Sequence, residues 1–169
     1  MLRPPTTTHP LLLPLFPLLA LLAACADKGD SGAEVEDPLS HACEYTAELG
    51  SAVTAGADRA SAPAFPLGEE PATVTLVPGA TGYLKVEVTG DTAALLFAGT
   101  ADVVNGLSQG DSAATLPTGA PNERCADDIP EHFDLDFHEA GDWYIEVGPA
   151  AIESVWLMLT SAEGHTHDE

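Results

Sequence analysis

Two stretches of this chain set histidine beside carboxylate. The first is His132-Phe133-Asp134-Leu135-Asp136-Phe137-His138. Side chains alternate sides along an extended strand, so one face would carry His132, Asp134, Asp136 and His138. The other would carry Phe133, Leu135 and Phe137. Imidazole with carboxylate is a donor set for zinc- or copper-type cations. At about 3.3 Å per residue the two histidines stand about 20 Å apart and cannot share an ion. Neighbours two apart, His132 with Asp134 or Asp136 with His138, are about 7 Å apart and could, if a neighbouring strand or the tail adds ligands. The simpler reading of such a face is that it is solvated. The second stretch is His165-Thr166-His167-Asp168-Glu169, either a weak metal-binding tract or a charged, solubilising end. Imidazole ligates only when deprotonated, so binding of this kind should weaken as pH falls through about 6.5.

Gly106-Leu107-Ser108-Gln109-Gly110 fits the Gly-x-Ser-x-Gly pattern of a hydrolase nucleophile elbow, which needs a strand before it and a helix after it. Val103-Val104 could be the strand. The run from Asp111 to Leu116 is too short before Pro117 for a useful helix. The expectation is a glycine-rich loop in a protein that is not an enzyme, with a hydrolase as the remote alternative. His41 and Glu44 would meet Asp127 and Asp128 if Cys43 were joined to Cys125.

The chain holds Cys25, Cys43 and Cys125. A basic start at Met1-Leu2-Arg3 leads into an apolar run from Leu11 to Ala24, which has the layout of a secretory signal peptide. The run is shorter than the ~20 residues that span a bilayer. Pro14 and Pro17 also interrupt it. Leu22-Ala23-Ala24-Cys25 resembles the lipobox of bacterial lipoproteins. The resemblance implies that Cys25 receives a diacylglycerol, that the peptide is cut before it, and that its new amine is acylated. Two lipid chains already suffice for stable attachment. In that family Asp after the cysteine favours the inner membrane; Ala26 here points to the outer membrane. With Cys25 consumed, Cys43 and Cys125 are left as a pair in an oxidising compartment, and a disulfide is expected. It would close a loop of about 80 residues, worth about 4–5 kcal/mol in the chain-entropy model. The alternative is two free thiols holding a metal.

The 169 residues carry a formal charge of −22. Loss of residues 1–24 removes Arg3 and no acid, leaving −23. Such a surface repels nucleic acid and anionic headgroups and attracts cations. The partners left open are a protein, a glycan or a cation, besides the membrane reached through the acyl chains. Residues 25–40 have little to bury and read as a flexible tether. Residues 41–160 read as one domain, and 161–169 as an acidic, histidine-containing tail.

Candidate strands are Ser51–Ala55, Ala72–Val77, Tyr83–Val88, Ala93–Ala98, Asp102–Val104, His132–His138, Asp142–Val147 and Glu153–Thr160. Several alternate with period 2, as half-buried strands do. Many short strands between regular turn signals predict an all-β fold, a single antiparallel β-sandwich. Ala42–Leu49 could make one or two helical turns. Glu139-Ala140-Gly141-Asp142 reads as a hairpin turn between antiparallel strands. Asn105 to Arg124 reads as a long loop with a short strand at Ala113–Leu116.

Gly141-Asp142-Trp143-Tyr144-Ile145-Glu146-Val147-Gly148-Pro149 is similar to a strand near the end of pre-peptidase C-terminal type domains, which are small jelly-roll-like sandwiches. The mature layout also resembles uncharacterised myxobacterial-type lipoproteins. The shared features are Cys43-Glu44-Tyr45, Val53-Thr54-Ala55, a lone Cys125, Gly148-Pro149 and a His/Asp/Glu tail. Many members carry His where Tyr45 stands. The resemblance implies a jelly-roll-like sandwich on a lipid anchor and transfers no activity. A binding or interaction module would present an open aromatic or apolar patch, for which Trp156, Met158 and Tyr144 are candidates. A metal-handling lipoprotein would bring its histidines together.

Overall fold

The computed structural model describes residues 37–46 and 50–162. The leader, the lipobox with Cys25, most of the tether and the tail with His165, His167, Asp168 and Glu169 lie outside the described residues.

The first element is a helix, α1 (Pro38–Tyr45). Asp37 caps it, its side chain accepting the Leu39 N–H at 3.2 Å. Pro38 follows, where a missing N–H costs the helix nothing. The helix takes in Pro38–Ser40, which the sequence assigned to the tether, and stops short of Leu49.

Strands follow in order: β1 (Ala52–Thr54), β2 (Ala72–Thr75), β3 (Gly82–Val88), β4 (Thr92–Ala98), β5 (Val104–Gln109), β6 (Ser112–Ala114), β7 (Glu131–Phe137), β8 (Gly141–Val147) and β9 (Ser154–Ser161). Among the described residues they make two sheets, ordered β1-β2-β9-β4-β7 and β3-β8-β5-β6. From β2 onward consecutive strands change sheet at every step except β5 to β6, the topology of a jelly roll. All pairings are antiparallel except β1 with β2, which is parallel.

The core lies between the sheets. Leu84, Val86 and Val88 of β3 meet Ala94, Leu96 and Ala98 of β4, Phe133, Leu135 and Phe137 of β7, Trp143, Ile145 and Val147 of β8, and Val155, Leu157 and Leu159 of β9. Strands β4 and β9 do not alternate apolar with polar because their outer faces are covered too. Leu95, Phe97 and Met158 point away from the core and are buried with Ala42 of α1 and with Ile129. This second apolar cluster is a layer of helix on sheet.

Two sequence expectations are corrected. The turn at residues 138–140 does not join a hairpin, because β7 and β8 lie in different sheets. Reversal residues are alike in a hairpin and in a corner between layers. Residues 105–124 are not one long loop, because β5 and β6 form a hairpin there, with Gln109 opposite Ser112. The two-residue turn is Gly110-Asp111, and Gly110 takes φ +53°, the sign that twist-matched hairpin turns require.

Candidate functional site

Among the described residues, one group of metal-ligating side chains converges: Asp91, Asp136 and His138, with ligand atoms all within 4.8 Å of one another. Asp136 is on the outer face of β7, opposite Ala93 of β4. His138 follows the end of β7, and its Nδ1 lies 3.2 Å from Asp136 Oδ1. Asp91 stands in the turn from β3 into β4, and the β4–β7 pairing brings that turn beside the end of β7. All three are exposed. Two carboxylates and one imidazole form a donor set that suits a zinc- or copper-type cation, with solvent or further groups filling the other positions.

The sequence paired Asp136 with His138 and asked for a ligand from elsewhere. Asp91 supplies it. Nothing local marks Asp91, because its role depends on a pairing between strands some 40 residues apart. The other half of the strand face behaves differently. His132 turns toward the second apolar cluster, its ring 6.0 Å from that of Phe97, and its buried Nδ1 has no hydrogen-bond partner. Among the described residues His132 and Asp134 belong to no converging group of three or more ligating side chains, and Asp134 is exposed. His41 faces Glu69 at 3.8 Å and lies against the Tyr45 ring at 4.6 Å. It does not converge with Glu44, Asp127 and Asp128 into a ligand group.

Cys43 and Cys125 form a disulfide across 82 residues, with their Cα atoms 5.9 Å apart. This removes the free-thiol metal site. The bridge pins α1 to the segment between β6 and β7.

Ser108 sits inside β5 and is fully buried, and the strand turns into β6, not into a helix. This is not the geometry of a nucleophile elbow. Gly106 has a packing role: a Cβ there would stand 2.8 Å from Glu146 Oε2 on the neighbouring strand.

The aromatic patch expected on β8 and β9 is largely covered. Met158 is buried beneath α1, and Trp156 and Tyr144 are half-buried. The Arg59 guanidinium lies over Tyr83 and Tyr144, 5.7 and 5.9 Å from their ring centres, and covers them in part.

Neither a protein-family model nor a curated protein matches the chain.

Proposed function

We propose that the chain is an exported, lipid-anchored cell-envelope protein whose jelly-roll domain is a non-catalytic binding module. The observation that carries this reading is the Cys43–Cys125 bridge. Disulfides form and persist in exported compartments. The pairing leaves Cys25 as the one remaining cysteine, at the lipobox position. Eleven residues separate Cys25 from Asp37. The Ala26 that follows the lipidated cysteine favours the outer membrane. The acidic charge favours a cationic partner, or a protein or glycan with cationic groups, over nucleic acid.

The test is metabolic labelling with a clickable palmitate analogue. The native chain should take up label and be cut before Cys25. Cys25→Ser should remain unprocessed and unlabelled, and label retained on that variant would overturn the anchor.

A second reading, metal handling, is supported by the convergence of Asp91, Asp136 and His138. On this reading the module takes Zn²⁺ or Cu²⁺ at that end of the sandwich, and the tail residues His165, His167, Asp168 and Glu169 are a separate or additional source of ligands.

A further inference from the structure

We infer that α1 is a strap locked by the Cys43–Cys125 disulfide, and that a dithiol reductant releases it from an otherwise intact sandwich. The buried residues divide into two clusters. One fills the space between the sheets and includes no residue of α1. The other lies outside the five-stranded sheet and joins Ala42 to Leu95, Phe97, Ile129 and Met158, with Leu39, Cys43, Tyr45, Cys125 and Trp156 around it. The sandwich core therefore does not depend on the helix that covers its flank. Separate apolar clusters of this kind open as separate cooperative units.

Three ties fasten α1 to the segment from Asn122 to Cys125. The Asn122 side-chain amide, itself fully buried, donates to the Leu39 carbonyl at 2.8 Å and faces Cys43 Sγ at 3.5 Å. Arg124 Nη2 lies 2.6 Å from Asp37 Oδ2, with both side chains well exposed. An exposed pair of this kind contributes at most about 1 kcal/mol. The disulfide is the third tie. A further contact runs from His41 to Glu69, at 3.8 Å. With eight residues α1 is below the ~12–15 at which an isolated helix becomes even marginal. Its persistence rests on being held. The segment that receives it has its own support. Ala120 exchanges two backbone hydrogen bonds with His132 of β7, and Asn122 N–H donates to the Ile129 carbonyl. When the bridge opens, this segment stays on the sheet and α1 leaves.

The chemistry is thiol–disulfide exchange. One thiolate of the reductant attacks a cystine sulfur and forms a mixed disulfide. Its second thiol displaces the remaining cysteine. Two electrons and two protons pass to Cys43 and Cys125, and the reductant leaves as its own disulfide. Release uncovers Leu95, Phe97, Ile129 and Met158.

The experiment is hydrogen exchange by mass spectrometry on the processed full chain, with and without excess dithiothreitol, and on the Cys43→Ser/Cys125→Ser double variant without reductant. Amides from His41 to Tyr45 should lose protection by about tenfold or more in both cases. Amides of β4, β8 and β9 should change by less than about threefold. Unchanged protection of α1 once both thiols alkylate freely would overturn the proposal. So would equal loss in strands and helix, which would mean that the bridge holds the whole fold. Neither readout depends on lipidation, so failure here is distinct from failure of the anchor.

Discussion

Arg59 Nη2 donates to Glu146 Oε1 at 3.0 Å, joining a 3-10 turn near the start of the domain to a strand 87 residues later. Gly106, on the strand beside β8, leaves room for that carboxylate. Arg59→Ala should destabilise the domain by about 1–2 kcal/mol, through loss of the half-buried pair and of the contacts with Tyr83 and Tyr144. Gly106→Ala should push Glu146 aside and forfeit part of the same energy. The two substitutions together should then cost less than their sum by at least about 0.5 kcal/mol in urea denaturation. Strict additivity would show that Gly106 does not serve this pair.

Ser108 should be chemically inert. It is fully buried within β5, and its hydroxyl has no hydrogen-bond partner to act as a base. A fluorophosphonate probe should leave it unlabelled in the folded chain. Covalent label mapped to Ser108 would bring the hydrolase alternative back.

Much of the sandwich was legible because the strand faces alternate. Leu84, Val86 and Val88 are inward in β3, as are Phe133, Leu135 and Phe137 in β7, where period 2 placed them. What lay outside local pattern was which strand meets which. Turn chemistry at residues 138–142 reports a reversal of the chain but not a change of sheet. The continuous apolar runs of β4 and β9 mark burial on both faces, yet say nothing of the helix that covers Leu95, Phe97 and Met158. The candidate site follows the same division. Asp136 beside His138 was readable along the strand. Asp91 was not, because strand pairing alone brings it there; His132 lies outside that group, its ring 6.0 Å from that of Phe97.

Stability should vary with pH through Glu131. Partial burial pushes its carboxyl above the ordinary 4.5; the hydrogen bond from Asp102 N–H opposes this, and the Asp102 charge adds to it. The folded state then binds this proton more tightly than the unfolded one. Stability from this group is present below 4.5 and is lost as pH rises through the raised value. Glu131→Gln should remove that slope and stabilise the domain above the window. Asp37 and Asp58 act with the opposite sign. Burial raises Asp37, but the Leu39 N–H, Arg124 and Ser40 together outweigh it, while the Ser61 hydroxyl and N–H lower Asp58. Their contributions are present above 3.8 and lost as pH falls. Melting temperature against pH for native and Glu131→Gln chains checks this. The two curves should differ in slope only above about 4.5.

The cation reading separates cleanly into its parts. If Zn²⁺ binds at Asp91, Asp136 and His138, His138→Ala should weaken it by about tenfold or more, because imidazole is the softest donor of the three. Asp91→Asn should weaken it as well, although Asp91 is distant in sequence from the other two. Truncation after Gly164 removes His165 and His167 and leaves the three described residues in place. Unchanged affinity after truncation would locate the site on the sandwich, and complete loss would locate it in the tail. Lowering the pH from 7.5 to 5.5 should weaken binding through imidazole. Binding through carboxylates alone should persist and should favour Ca²⁺ or Mg²⁺. Calorimetry on the metal-stripped chain, in enough salt to screen the diffuse charge of −22, measures all of these. Equal affinity in the native, His138→Ala and Asp91→Asn chains would remove this end of the sandwich from consideration.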